Sequence, residues 1–206
     1  MQQAHADPPY IVVSGSLSAD DDVQSTVFSP TQAATYTFYT TSYAGGTNAD
    51  GSITSPGGFD PILTLFDSNG NTIGFNDDDT TGFANTDPTT GFVGDSYFTE
   101  VLDPGTYTLS ISEYDNFATT NSSSWSEAGN PDFTGNFSNP FNPLPGPFLD
   151  QTGDQRTADY TYDIVAGPAD VQNPPAVPEP SGALTFAVFV VVGAAFVRRS
   201  RLMTQS

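Results

Sequence analysis

Residues 97–113 have the sequence Tyr-Phe-Thr-Glu-Val-Leu-Asp-Pro-Gly-Thr-Tyr-Thr-Leu-Ser-Ile-Ser-Glu. Two strand-like runs, Tyr97–Leu102 and Thr106–Glu113, flank Asp103-Pro104-Gly105. Proline and glycine stand there at the positions that a tight turn requires. The segment therefore predicts two neighbouring β-strands joined by a short turn.

The same kind of pattern recurs on both sides of this segment. Ala34–Thr41 alternates threonine with aromatic residues, which places Tyr36 and Phe38 on one face of a strand. Further strands are predicted at Tyr10–Leu17, Phe59–Phe66, Thr72–Phe75 and Thr157–Val165. Seven or more short strands without a credible internal helix predict an all-β fold, an antiparallel β-sandwich of the jelly-roll type. The irregular segments 41–58 and 117–154 are predicted as long loops.

Composition excludes several classes of function. The chain of 206 residues has 24 acidic and 4 basic side chains, no lysine and no cysteine, and a net charge of −20. Such a charge repels nucleic acid phosphates, so we expect no nucleic acid partner. The absence of cysteine excludes disulfides, cysteine-ligated metals and cysteine nucleophiles. The many aspartates, with 19 Gly and 17 Pro, favour a fold rich in turns.

Catalytic groups are scarce in this sequence. His5 is the one histidine, which excludes Ser-His-Asp triads and histidine-ligated metal sites in the body of the chain. Glu100 and Glu113 lie on adjacent predicted strands, where exposed acidic side chains are a simpler interpretation than a glycosidase-type pair. We therefore expect no enzymatic activity, and a carbohydrate-active hydrolase is the alternative.

A cluster of oxygen-bearing side chains predicts a calcium site. Asn76, Asp77 and Asp78 follow a predicted strand, and Asp60, Asp95 and Asp115 lie near strand ends that can converge on them. Calcium binds clustered carboxylate and carbonyl oxygens, and adjacent carboxylates repel one another unless they are neutralised. The alternative is that these aspartates cap turns and face water. We prefer that alternative for the acidic run 20–22 and for the turn that follows Phe66.

The C-terminal region has the features of a membrane segment. Ser181–Val197 contains no charged residue, and its length corresponds to a helix of roughly 25 Å, close to the thickness of a bilayer core. Arg198, Arg199 and Arg201 follow immediately, as the positive-inside rule expects. We predict a single transmembrane helix, 181–197, with a basic tail, 198–201. A buried helix or strand is the alternative.

A proline-rich linker, 167–177, precedes this segment, and the motif Val177-Pro178-Glu179-Pro180 stands at the junction of the two. Two prolines hold the backbone around Glu179 extended and accessible. Together with the apolar helix and the arginines, this motif resembles the PEP-CTERM protein-sorting signal, here 178–201. The same tail is also catalogued as an ice-binding protein C-terminal domain, a label that is no evidence of ice binding.

The resemblance implies export and recognition of the sorting motif by an exosortase-type membrane enzyme. The helix would anchor the chain transiently in the inner membrane of a Gram-negative bacterium. The body would then reach the cell surface or the exopolysaccharide matrix. An uncleaved membrane anchor is the rival interpretation. Ala4-His5-Ala6 fits a signal-peptidase site, so residues 1–6 are interpreted as the remnant of a signal peptide and 7–166 as the mature domain.

The body carries a second resemblance, on five short motifs. They are Phe59-Asp60-Pro61 through Asp67, Asn76-Asp77-Asp78, Gly105-Thr106-Tyr107, Tyr114-Asp115-Asn116 and Gly153-Asp154-Gln155-Arg156. These motifs resemble the DVUA0089 family of PEP-CTERM proteins and, more distantly, bacterial pre-peptidase C-terminal domains. The resemblance implies a β-sandwich module that accompanies secreted proteins and in some cases binds calcium, without an assigned activity. Sugar contacts through the phenylalanines of the long loop, Phe133, Phe137, Phe141 and Phe148, are a second hypothesis.

Overall fold

The computed structural model describes residues 10–114, 116–118, 148–150 and 153–167, all of which belong to one compact unit. The strands are β1 (Tyr10–Ser16), β2 (Val23–Phe28), β3 (Ala34–Thr40), β4 (Gly46–Thr47), β5 (Ile53–Thr54), β6 (Pro61–Phe66), β7 (Thr72–Asn76), β8 (Tyr97–Leu102), β9 (Tyr107–Glu113) and β10 (Asp159–Ala166). Over these ranges, no helix has the length and apolar character needed to cross a membrane. Residues 168–177 of the predicted linker lie outside the described residues, as do the sorting motif, the transmembrane helix and the basic tail.

The strands form two four-stranded antiparallel sheets and one small hairpin. One sheet has the order β1-β10-β3-β8 and the other the order β2-β9-β6-β7, while β4 pairs only with β5. Successive long strands alternate between the sheets, except for β6 and β7, which form a hairpin within one sheet, as in an eight-stranded jelly roll. The predicted all-β fold with antiparallel sheets is therefore confirmed for the described part of the chain.

The core lies between the two sheets. Leu63 of β6 and Ile111 of β9 are directly paired and fully buried, and they belong to the same core cluster as Phe38 and Ile164 of the opposite sheet. Phe38 also stacks on Phe98, with ring centroids 4.9 Å apart. Large side chains on alternate positions of both sheets thus exclude water from the space between them, and this burial is the main stabilising contribution.

The two ends of the sandwich differ in the length of their connections. At one end the turns are short, comprising residues 29–33, 67–71 and 103–106. At the other end the connections are long, comprising residues 17–22, 41–60, 77–96 and 114–158. We call this the long-connection end. Among the described residues, the short turns carry only Asp67 and Asp103 as acidic residues, so the negative charge of the connections is concentrated at the long-connection end.

Candidate metal centre

Three carboxylates meet at the long-connection end. Asp60 directly precedes β6, and Asp77 and Asp78 directly follow β7. Because β6 and β7 are antiparallel neighbours, with Leu63 opposite Asn76, the start of one strand lies beside the end of the other. One carboxylate oxygen from each aspartate lies within 4.8 Å of the other two. Calcium binds oxygen at about 2.3–2.6 Å, so three oxygens at this separation can share one ion.

Asp60 is the buried member of this cluster. Its side chain is 2% exposed, and neither carboxylate oxygen has a hydrogen-bond partner in the described part of the chain. Burial raises the pKa of Asp60 well above its usual range, and the charges of Asp77 and Asp78 raise it further. A buried carboxylate without partners is costly, so this group needs a proton or a cation.

Asp78 faces the same difficulty to a smaller degree. It is half-buried, and burial raises the pKa of its carboxyl group to about 6. Its Oδ1 atom is inaccessible and accepts no hydrogen bond from the residues that the structure describes. Asp60 and Asp78 therefore present carboxylate oxygens that accept no hydrogen bond from the described residues, which is the chemistry of a site for a hard cation.

Two of the predicted ligands have structural roles. The Asn76 side chain accepts a hydrogen bond from the Tyr97 amide (2.8 Å) and donates one to the Asp78 carbonyl (3.1 Å), which holds the loop in place. Asp95 is 1% exposed and accepts hydrogen bonds from the Thr40 hydroxyl and the Tyr43 and Ala44 amides, at 2.7, 3.0 and 2.8 Å.

Of the six predicted ligands, the structure thus brings together Asp60, Asp77 and Asp78. Burial raises the pKa of Asp95, and its hydrogen bonds act in the opposite direction. The carboxylate oxygens of Asp95 already accept hydrogen bonds from the backbone amides of Tyr43 and Ala44. Asp115 lies outside the described residues.

Two neighbours of the cluster were not predicted from the sequence. A Cβ atom added to Gly94 would lie 2.9 Å from Asp60 Oδ1 and 3.0 Å from the ring of Tyr43, so a larger residue there would have to displace one of these side chains. The Ser96 hydroxyl lies 2.7–2.9 Å from the carbonyl oxygens of Pro61, Asn76 and Asp77. Its single hydrogen satisfies one of these acceptors at a time. No local pattern around residues 94–96 indicates these contacts.

Arg156 is the one cationic side chain among the described residues, and it is used elsewhere. Its guanidinium contacts Asp87 at 3.2 Å, donates to the carbonyls of Gly58 and Tyr43, and lies 3.9 Å from the centroid of the Tyr43 ring. The Tyr43 hydroxyl in turn donates to Asp150 (2.8 Å). Arg156 therefore joins several long connections and is not available to neutralise Asp60.

Other predicted features have mixed outcomes. Asp22 accepts hydrogen bonds from the Ser18 and Ala19 amides, as a turn aspartate does. Asp67 likewise caps its own turn, through the amides of Asn69 and Asn71.

The prediction that Glu113 is an exposed strand-face acid is wrong. Glu113 is 2% exposed because its strand position directs it between the sheets, and this burial raises its pKa to about 9.

Phe148 belongs to the core and does not form part of a sugar-binding surface. It is 8% exposed, and its ring centroid lies 5.8 Å from that of Phe59. Its backbone has a φ of 56°, a conformation that is uncommon for a residue other than glycine. The other phenylalanines named for sugar contacts, Phe133, Phe137 and Phe141, lie outside the described residues.

Fold and cluster together define an antiparallel β-sandwich with an acidic, oxygen-rich end. No family model and no curated protein matches the chain. Among solved structures, it is similar to the pre-peptidase C-terminal domain of a collagenase from Bacillus anthracis. That similarity covers 75% of this chain and 86% of the other, with 13% sequence identity and a TM-score of 0.33. A likeness of this size establishes neither a shared family nor a shared ligand.

Proposed function

We propose that this chain is an exported β-sandwich module of the cell surface or extracellular matrix. We further propose that Asp60, Asp77 and Asp78 hold a calcium ion that stabilises its long-connection end. The observation that carries the second statement is the Asp60 carboxylate, which is buried, lacks hydrogen-bond donors and faces two further carboxylates.

The chemistry of the cluster favours calcium over other cations. The three ligands are hard oxygens, and no cysteine exists in the chain to favour a softer metal. Calcium accepts irregular sets of 6–8 oxygen ligands, whereas magnesium demands near-ideal octahedral geometry. Backbone carbonyls and water would complete the coordination shell. The ion would join the start of β6 to the end of β7 and thereby stabilise the fold, with a role in binding and structure and not in catalysis.

Thermal unfolding of the full chain in a mild detergent tests the cation site. We expect a higher Tm in excess calcium than in EDTA. A ligand present at a hundredfold excess over its Kd stabilises a protein by about 2.7 kcal/mol, and each kcal/mol raises Tm by about 2–4 °C at this chain length. Asp60→Asn is expected to lose this difference, whereas Asp103→Asn, the same substitution in a short turn, is expected to keep all of it. An identical Tm in calcium and in EDTA would contradict the proposed cation site.

The proposal of export rests on the sequence of the C-terminal region. The intact mass of the native protein, taken from separated membrane, periplasm and medium, tests it. A chain that ends near Pro180 and occurs at the surface is expected if the sorting signal is processed. A chain in the membrane that still carries Arg198 to Ser206 would make the protein permanently anchored, and processing by an exosortase-type enzyme would be ruled out.

A further inference from the structure

A buried hydroxyl lies where the two halves of the carboxylate cluster meet. Ser96 directly precedes β8 and is fully buried. Its Oγ atom lies 2.7 Å from the carbonyl oxygen of Pro61, 2.9 Å from that of Asn76 and 2.8 Å from that of Asp77. Pro61 directly follows Asp60 in the chain, and the other two carbonyls belong to the segment that carries the remaining carboxylates. One side chain thus contacts the backbone on both sides of the cluster.

The same hydroxyl joins the two sheets. β8 belongs to the sheet β1-β10-β3-β8, whereas the three carbonyls lie on or directly after β6 and β7 of the other sheet. Ser96 is itself held by the end of β3, because its amide donates to the Thr40 hydroxyl at 2.9 Å and its carbonyl accepts from the Thr40 amide at 3.0 Å. The Thr40 hydroxyl in turn donates to the buried carboxylate of Asp95 at 2.7 Å. With its own backbone fixed in one sheet, Ser96 fixes the strand ends of the other.

The oxygen atoms around Ser96 are more crowded than hydrogen bonding alone requires. A serine hydroxyl has one hydrogen, so it donates to one carbonyl at a time and the other two contacts join acceptors. Contacts between acceptors are repulsive, and a nearby positive charge reduces that repulsion. Oxygens bound to one calcium ion at about 2.3–2.6 Å lie roughly 3 Å from their neighbours in the shell. The spacing of oxygens around Ser96 is therefore of the kind that a calcium site tolerates.

We propose that Ser96 is a positioning residue of the cation site. Its hydroxyl fixes the backbone next to Asp60 and at Asp77, and thereby holds their carboxylates at the separation that one calcium ion requires. This inference rests on the proposed calcium function. Residues that orient metal ligands without binding the metal change its affinity about 10–100-fold when they are replaced. The hydroxyl thus affects the affinity for calcium and not only the stability of the fold.

The competing explanation is that the hydroxyl only satisfies a buried carbonyl. Ser96→Ala would then lower the stability of the fold but leave the affinity of the folded protein for calcium unchanged. If Ser96 positions the carboxylates, the folded protein itself binds calcium more weakly. Ser112 offers a matched control, because it is also buried and its hydroxyl donates to the Asn116 carbonyl at 2.7 Å, outside the cluster.

The test is the dissociation constant for calcium, measured by isothermal titration of the full chain in detergent with calcium chloride. Ser96→Ala is expected to bind calcium about 10–100-fold more weakly than the wild type, and Ser112→Ala is expected to keep the wild-type affinity. Ser96→Cys retains a weak donor at this position, so its affinity is expected to fall between those of the wild type and Ser96→Ala. Urea unfolding in EDTA measures the structural cost of each substitution separately. Circular dichroism verifies each fold, and Ser96→Cys carries the comparison if Ser96→Ala does not fold.

The outcomes distinguish this inference from the proposed function. Wild-type affinity in Ser96→Ala, together with loss of binding in Asp60→Asn, would overturn the role of Ser96 and leave the calcium site in place. Equal weakening in Ser96→Ala and Ser112→Ala would also overturn it, because any buried serine would then have the same effect. A wild-type protein that bound no calcium would contradict the calcium site itself, and the role of Ser96 with it.

Discussion

Asp60 cannot escape its environment by moving toward water. Its carbonyl accepts a hydrogen bond from the Tyr114 amide at 2.8 Å, and the next residue, Pro61, is already in register with Glu113. The backbone on either side of the carboxylate is therefore fixed by β9. The charge of a carboxylate held in this way must be compensated at that position. Either a proton converts it to the neutral acid, or a bound cation pairs with the ionised carboxylate.

Asp60→Asn tests this requirement directly. The amide keeps the shape of the side chain but carries no charge, so we expect the variant to melt higher than the wild type in EDTA at pH 8. We also expect it to lose the calcium-dependent stabilisation, which is about 2.7 kcal/mol at a hundredfold excess of calcium over Kd. Differential scanning fluorimetry measures both effects. A variant that retained the full calcium response would show that Asp60 is not a ligand.

Gly94→Ala tests the same site through its shape and not through its charge. The added methyl group would meet Asp60 Oδ1 at 2.9 Å and the Tyr43 ring at 3.0 Å. Overpacking of this kind costs about 1–3 kcal/mol, and displacement of Asp60 is expected to weaken calcium binding at least tenfold by isothermal titration. Gly105→Ala is the control, because its Cβ would meet only ordinary contacts at 3.4–3.6 Å. Unchanged calcium affinity in Gly94→Ala would contradict the assigned position of the ion.

At the scale of the element, most strands could be predicted because their faces differ in polarity. β3 and β10 alternate large apolar and polar residues, and both were predicted to within about two residues. β2 was missed because its interior is polar on both faces. Ser25 bonds to Ser110 on one face (3.1 Å) and Thr26 to Tyr162 on the other (2.7 Å). The partners of these hydroxyl groups lie on β9 and β10, which are distant in the sequence. The sequence of β2 therefore shows no alternation of apolar and polar residues.

The metal site was predictable where it depends on strand ends and unpredictable where it depends on distant loops. Asp60 and Asp77 follow from the pairing of β6 with β7. The role of Asp95 depends on the backbone amides of Tyr43 and Ala44, which are about fifty residues away in the chain. Neither composition nor periodicity indicates a contact of this kind, and the same holds for the glycine at position 94.

Arg156 is the connector whose loss affects several elements at once. Arg156→Ala would leave Asp87 buried without its ion pair, and the carbonyls of Tyr43 and Gly58 without a donor. Removing one partner of a buried pair costs about 3–5 kcal/mol, so we expect a clear loss of stability in urea unfolding. Arg156→Lys keeps the charge but not the planar fork, and an intermediate loss is expected. An unaltered unfolding midpoint in Arg156→Ala would show that the long connections are held by other contacts.

At the scale of the whole molecule, the buried acids set the dependence of stability on pH. Burial raises the pKa of Asp60, of Asp78 to about 6, of Asp163 to about 7 and of Glu113 to about 9. For these groups the folded state binds protons more tightly than the unfolded state. In EDTA, stability is therefore expected to fall as pH rises from about 4 to about 9. Below about 4, the trend reverses because hydrogen bonds lower the pKa values of Asp79 and Asp87, which lose their stabilising charge on protonation.

Calcium is expected to oppose the fall above pH 5, because it competes with protons for Asp60 and Asp78 and binds more tightly as they ionise. Asp163 separates this effect from ordinary burial. It lies on β10, is fully buried, accepts a hydrogen bond from the Ala49 amide at 2.8 Å, and does not belong to the cluster of Asp60, Asp77 and Asp78. Its ionisation costs of the order of 4 kcal/mol between pH 4 and pH 7.

Asp163→Asn is thus expected to flatten the pH profile equally with calcium and with EDTA, whereas Asp60→Asn is expected to remove the difference between the two profiles. Urea unfolding across this pH range, with and without calcium, measures both variants against the wild type. If calcium left the wild-type profile unchanged while Asp163→Asn flattened it, the buried charges of this sandwich would be neutralised by protons alone. If both expectations held, the acidic end would couple folding to calcium, so that the domain would be most stable where calcium is abundant.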